Sequence, residues 1–304
     1  PHPLLRRRRY RRHDELWLSA SEPPQALEVE LCGTVASLPV TGPLPGFAGT
    51  RAVMTISQDN DLCWIADWAG HLVRHQGAET ILFADNRSTA YPPEDIAATL
   101  AAVPGLKAAH VMSVDLPYGP MATRAPRGLA LFLQAGLLNL CRHGWLREAA
   151  AVLHCDIDEL LVSDRGTLFD RALASRLGYA TAAASWRFRD PSARGLPRFA
   201  EHVWRSDPPR SSKEKWIVCP SGPLGDTVWQ THGVAGYWLN RLAMDRRSRF
   251  YHCESIATNW KRPRDRSPGS GLVPDPATAA DFRRLGIGEA APRPFAGALA
   301  APPP

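Results

Sequence analysis

Ala149-Ala-Ala-Val-Leu-His-Cys155 runs directly into Asp156-Ile-Asp-Glu159 and then into the apolar Leu160-Leu-Val162. A short run that is apolar throughout reads as a strand buried on both faces. Its end delivers two carboxylates, Asp156 and Asp158, and in extended backbone residues two apart point to the same side. Like charges held that close repel unless a cation lies between them or one is protonated. Hard oxygen ligands suit Mg2+ or Mn2+. Glu159 beside them reads as a residue that orients a neighbour or caps a turn.

Upstream of this strand the chain alternates. Arg51-Ala-Val-Met-Thr-Ile56 is a short apolar, β-branched run that leads into the polar turn Ser57 to Asp61. Leu62, Ile65, Ala66, Ala69, Leu72 and Val73 then recur at helical spacing, with Asp61 as N-cap and Gly77 as the stop. Thr80-Ile-Leu-Phe-Ala84 is a second strand ending at Asp85-Asn86. Pro93 to Ala102 is a helix with Glu94 and Asp95 at its positive end. Ala109 to Val114 is a third strand ending at Asp115, and a long helix is predicted from about Ala125 to His143. Such alternation predicts an α/β fold, a mostly parallel, Rossmann-like sheet with helices on both faces. Ligands of such sheets bind beyond the carboxyl ends of the strands, and Gln58-Asp59, Asp85-Asn86, Asp115 and Asp156 all fall there.

Around this block the sequence divides in three. Residues 1–50 are a basic, Pro-rich lead-in with one strand predicted at Leu27–Leu31. Residues 51–265 are the catalytic-type domain, whose part after Asp158 becomes an irregular acceptor region rich in tryptophan, with room for an antiparallel extension. Residues 266–304, rich in Pro, Ala and Gly, are expected to be poorly ordered.

The 304 residues are 44% hydrophobic and 22% charged, which excludes a disordered chain and allows a sizeable core. The net charge of +6 is uneven. Arg6 to Arg9 with Arg11 and Arg12 form one cationic run, and Arg246 to Arg266 is a second basic stretch; both suit a polyanion such as acidic lipid or a nucleotide diphosphate. The first run reads as a solvated tail or a peripheral contact at the inner face of a membrane, and nucleic acid is the weaker partner for it. Six scattered cysteines include no Cys-x-x-Cys pair. Reduced thiols are the expectation, and they favour a cytoplasmic location. The longest apolar stretch, Gly128 to Cys141, is shorter than the ~18 residues a span needs and carries Gln134 and Asn139.

Several of these pieces fall in the order found in one kind of enzyme. Trp68, Gly77, Asp85-Asn-Arg-Ser88, Asp156-Ile-Asp-Glu159, Lys215-Trp-Ile-Val-Cys-Pro220, His232 and Asn259-Trp-Lys261 resemble bacterial glycosyltransferases of the family 2 type and their family 92 relatives. The resemblance runs from about residue 52 to 262. It implies a GT-A fold, a nucleotide-sugar donor, Mn2+ or Mg2+ at Asp156 and Asp158, a glycan or glycolipid acceptor, and an inverting outcome. The chain departs from those relatives at Asp59-Asn60, where they carry the order Asn-Glu, and at Phe188-Arg-Asp-Pro-Ser192, where they have a Phe-Gly-Ser-like turn.

Roles for single residues follow from that chemistry, each with a plainer alternative. Thr55, Asp85 and Asp115 are candidate nucleotide contacts with Asp156; Asp85 equally suits a turn-forming Asp-Asn pair. Inverting transfer needs a carboxylate to take the acceptor proton. Asp190 is the candidate, with Glu201 in reserve; the alternative is a loop acid paired with a local Arg. His232 is a candidate third metal ligand or diphosphate contact, or else a structural histidine. Lys215, Lys261 and Arg262 are candidate diphosphate contacts. Two other classes compete with glycosyl transfer. A nucleotidyltransferase would need a Gly-rich phosphate loop, and none follows Ile56. A non-catalytic polyanion-binding protein or inactive relative would not need Asp156 and Asp158.

Overall fold

The computed structural model of the chain describes residues 4–9, 14–18, 20–22, 24–40, 42, 44–119, 132–258, 260 and 271–288. Two hairpins come first: β1 (Leu4–Arg9) pairs antiparallel with β2 (Asp14–Leu18), and β3 (Ala26–Leu31) with β4 (Thr34–Pro39). The lead-in therefore holds three strands beyond the predicted one. Cys32, at φ 51°, and Gly33, at φ 79°, make the tight turn between β3 and β4.

The next elements follow the predicted alternation: β5 (Arg51–Ser57), α1 (Leu62–Gln76), β6 (Thr80–Asp85), α2 (Pro93–Ala101) and β7 (Ala108–Ser113). Asp61 caps α1 by accepting from the Cys63 amide, and Gly77 ends it at φ 68°, where a side chain would be strained. α3 (Phe132–His143) is followed by β8 (Ala151–His154). The first turns predicted for α3, from Ala125, lie outside the described residues.

The second half is more regular than the sequence suggests. It contains β9 (Glu159–Ser163), α4 (Leu168–Leu173), β10 (Tyr179–Arg187), β11 (Trp204–Ser206), β12 (Ser211–Val218), β13 (Trp229–Gln230), β14 (Gly233–Val234), α5 (Trp238–Leu242), β15 (Met244–Cys253), β16 (Leu272–Pro274) and α6 (Pro276–Arg284). Eight strands form one sheet in the order β7-β6-β5-β8-β12-β10-β15-β9. β7, β6, β5 and β8 are mutually parallel, and β10 is parallel to β15. β12 runs antiparallel to both β8 and β10, and β9 antiparallel to β15. The result is a mixed α/β fold with parallel pairings in the majority, and the extension β12-β10-β15-β9, itself mixed, supplies half the sheet.

Each face of the sheet has its own core. Val53, Ile81 and Phe83 bury one face against Trp64, Ile65, Trp68 and Leu72 of α1, while Ala52, Met54 and Ile56 bury the other against Leu133, Leu137 and Leu138 of α3. Alternate residues of one strand thus serve opposite layers, as period-2 geometry requires. Glu15 of β2 joins the lead-in to this body through a 2.8 Å ion pair with Arg142, whose side chain is 1% exposed.

Residues 271–288, expected within a poorly ordered tail, are instead built into the fold. β16 pairs with β11, and α6 buries Phe282. Asp275 caps α6 by accepting from the Ala277 and Thr278 amides, and it forms a 3.0 Å ion pair with Arg187. An Asp-Pro start is a sound helix signal; here the surrounding Pro and Ala composition conceals it.

Candidate active site at the carboxyl rim of the sheet

Strand directions bring the carboxyl ends of β5, β6, β7, β8, β10 and β15 to one rim, together with the amino ends of β9 and β12. At its middle the chain leaves β8 and turns back into β9 through Asp156 to Asp158. That turn is closed twice. The Asp156 carbonyl accepts from the Glu159 amide at 3.2 Å, and the Glu159 carboxylate accepts from the Asp156 amide at 2.8 Å. The capping role suggested for Glu159 is thus what its carboxylate performs.

The turn changes where the two aspartates point. Extended backbone would aim both into one cleft, but Ile157 and Asp158 are in a turn and the carboxylates part. Asp156 accepts from Lys215 at 2.8 Å and from Gln134 at 3.4 Å. Asp158 meets His252 Nε2 at 2.9 Å, and its carbonyl is held by the Cys253 amide at 2.7 Å. β15, antiparallel to β9, places His252 opposite Glu159.

Lys215, which the sequence suggests as a diphosphate contact, is fully buried and serves as a counterion. Its ammonium lies 2.8 Å from both Asp156 Oδ2 and Glu159 Oε2. Burial alone would lower its pKa; the two carboxylates outweigh burial and raise it, so the charge is kept. Glu159 shifts upward because burial opposes its ionised form, only partly offset by Lys215. Two carboxylates thus share one ammonium, and the third, Asp158, faces His252 instead.

Among the described residues, Asp158, Glu159 and His252 form a group able to hold a metal ion, with one ligand atom from each inside 4.8 Å of the others. Two carboxylates and an imidazole, in surplus negative charge, are a donor set that fits Mn2+ or Mg2+. Asp156 is outside that group, beside Lys215. His252 is further fixed by Ser212 Oγ at 3.1 Å and by Trp186, stacked on it at 3.8 Å.

A second polar chain supports Asp156. Tyr118 donates to Gln134 at 2.7 Å, Gln134 donates to His154 Nε2 at 2.9 Å, and His154 Nδ1 donates to the Met54 carbonyl at 3.0 Å. His232 interacts electrostatically with Lys215 and Asp156; burial first, then Lys215, lowers its pKa to about 3, so it is a neutral imidazole. Its Nδ1 is shut off from solvent without a hydrogen-bond partner. A buried ring nitrogen without a hydrogen-bond partner is uncommon in a folded protein.

The remaining sequence candidates are dispersed. Thr55 is fully buried in β5 with an unpartnered Oγ1. Asp85 is buried at the exit of β6 and accepts from Ser88 Oγ at 2.5 Å, in the turn-forming role. Asp115 is exposed and paired with Arg87. Asp190 is partly exposed and accepts from Ser192 Oγ at 2.7 Å and from the Ser192 amide at 2.8 Å, which hold its carboxyl below the usual range. Glu201 pairs with Arg189 at 2.7 Å and caps the turn at Arg198. Lys261 and Arg262 lie outside the described residues.

His252, Gln134 and His154 carry no role in the sequence reading. A signal for His252 exists: Tyr251-His-Cys-Glu254 repeats the apolar-His-Cys-acid ending of Leu153-His-Cys-Asp156. All six cysteines are free thiols. Among the described residues, no helix is long and apolar enough to cross a membrane.

No protein-family model and no curated protein matches the chain. Solved structures to which it is similar include S. aureus TarS, at 14% identity and TM-score 0.30 over 49% of this chain and 23% of that one. A second is S. aureus TarS 1-349, at 12% identity and TM-score 0.29, covering 51% and 41%. A third is the apo WbbM bifunctional glycosyltransferase, at 15% identity and TM-score 0.28, covering 50% and 26%. The chain therefore spans less than half the length of each.

Proposed function

We propose that the chain is a metal-dependent glycosyltransferase of the GT-A type. It moves a sugar from a nucleotide-sugar donor to a glycan or glycolipid acceptor, with inversion. The observation that carries this reading is the gathering of Asp156, Asp158, Glu159 and His252 at the carboxyl rim of a mostly parallel sheet. The order of motifs along the chain supports it independently.

In this reading Asp158, Glu159 and His252 hold Mn2+ or Mg2+, which when bound neutralises charge gathering on the diphosphate leaving group. Lys215 pairs with Asp156 and holds it in place at the rim beside the donor. Neutral His232 offers its unpartnered Nδ1 to a donor hydroxyl. Thr55 within β5, Asp85 at the end of β6 and Asp115 beyond β7 mark the path for the nucleotide. Lys261 and Arg262 add cations toward the diphosphate. Asp190, beyond β10 on the same rim, takes the proton of the acceptor hydroxyl as that oxygen bonds to the anomeric carbon and the sugar–phosphate bond breaks. Glu201, tied to Arg189 and Arg198, suits a structural role better. The enzyme works in the cytoplasm, peripheral to the inner membrane face through Arg6–Arg12.

The test is release of nucleoside diphosphate from a panel of nucleotide sugars, with and without Mn2+, by wild type and Asp158→Ala. Metal-dependent release by wild type, lost in a folded Asp158→Ala protein, is the expected outcome. Equal metal-dependent release by both proteins would sink the metal assignment. No release from any donor would favour a binding protein or an inactive relative.

A further inference from the structure

A cavity of about 430 Å3 lies on the α1 side of the sheet, bounded by α1, by residues 198–201 and by the chain after α6. None of Asp156, Asp158, Lys215 or His252 lines it. α1 turns Asp67, His71, Arg74 and His75 toward it, residues spaced to share one helix face. Leu160, Phe199, Leu285 and Ile287 supply apolar wall.

His71 gives the cavity a specific demand. The Leu161 carbonyl lies 2.7 Å from its Nε2, so Nε2 carries the proton and donates. Nδ1 is then a lone-pair acceptor, and it is buried without a partner. The residue is 4% exposed, and burial keeps its ring neutral. A buried acceptor with no donor is unfavourable and rare enough in folded proteins to require an explanation.

The charges complete the picture. Asp67 is matched by Arg198 at 2.8 Å, and Glu201 by Arg189 at 2.7 Å. Arg74 is exposed at the cavity and forms no ion pair among the described residues. One cation is therefore available there, and the lining acids are already taken.

We propose that this cavity binds a compact organic acid. Its carboxylate meets Arg74, its apolar body packs on Leu160, Phe199, Leu285 and Ile287, and its hydroxyl or N–H donates to Nδ1 of His71. The site is separate from the proposed reaction centre, so binding there does not need Asp158. It adjoins that centre at Leu160, which follows Glu159 in β9 and faces the opposite side of the sheet, and at Glu201, whose carbonyl accepts from the Asp190 amide at 2.8 Å.

The experiment is a titration of the full chain with 4-hydroxybenzoate, followed by backbone amide NMR shifts. Benzoate, which lacks the donor, and 4-hydroxybenzyl alcohol, which lacks the charge, are the comparison probes. Saturable binding in the millimolar range is expected for a ligand of this size, with shifts centred on Leu160, Gly286 and Gly288. Each comparison probe should bind about fivefold or more weakly, by loss of one hydrogen-bonded group. Arg74→Gln, an exposed change, should weaken 4-hydroxybenzoate but not 4-hydroxybenzyl alcohol, whereas Asp158→Ala should bind 4-hydroxybenzoate as wild type does. Absence of saturable shifts, shifts centred on other residues, or equal affinity for all probes in wild type and Arg74→Gln would overturn the proposal.

Discussion

Lys215 sits where three carboxylates would otherwise repel one another, and its contacts with Asp156 and Glu159 leave Asp158 and His252 as a separate pair. Asp190 stands apart, partly exposed, its carboxylate held by Ser192 and its amide by the Glu201 carbonyl. If it takes the acceptor proton, Asp190→Asn retains nucleoside diphosphate and Mn2+ binding by calorimetry while turnover falls by about 10² to 10⁴-fold. Near wild-type turnover would remove it from the mechanism without touching the metal group. Asp156 and Asp158 were legible because an apolar run stops at them. His252 was not, since its partner lies 94 residues away and only strand pairing joins them.

At the scale of elements, the first half of the chain announced itself and the second did not. α1 carries apolar spacing, an Asp cap and a Gly stop, and it forms at the predicted residues. β10 is Tyr-Ala-Thr-Ala-Ala-Ala-Ser-Trp-Arg, with little β propensity, and becomes a strand because β12 and β15 flank it. α6 is held in the same tertiary way. Asp281 accepts from Tyr251 at 2.6 Å, from Arg249 at 2.5 Å and from Arg284 at 3.0 Å. Asp281→Ala should therefore cost about 2 kcal/mol in urea unfolding, by stranding these donors; a change within ±0.5 kcal/mol, the range usual for surface positions, would show α6 to be loosely attached. β1 offers the contrasting case, because among the described residues it is held by hairpin pairing and by side-chain contacts such as Arg8 to the Asp226 carbonyl. Deleting residues 1–13 should leave turnover on a small soluble acceptor nearly unchanged and reduce binding to anionic vesicles. A large loss of soluble turnover would mean that the hairpin supports the site.

Across the whole molecule, burial of neutral imidazoles sets how the fold meets acid. His71 and His202 lie in the interior with ring nitrogens on the Leu161 and Arg198 carbonyls, and burial lowers each pKa from 6.5 to about 4. In the unfolded chain both take up a proton near pH 6.5, whereas in the fold they stay neutral until about pH 4. A depressed folded value means stability that is complete above the unfolded pKa and is lost as pH falls through the folded one. Each histidine therefore contributes a slope of up to about 1.4 kcal/mol per pH unit inside that window. Asp67, Asp85 and Glu159 act the other way, because burial raises their values and protonation there favours the fold. The net loss on acidification is thus smaller than the histidines alone would give. Replacing one histidine isolates its share, since the carboxylate contribution cancels between two proteins measured at the same pH. His202→Gln, compared with wild type by urea unfolding at several values between pH 6 and 5, should show a shallower decline by about 1.2 kcal/mol per pH unit, whatever the variant's absolute stability. Parallel declines in the two proteins would mean that His202 is already charged in the fold.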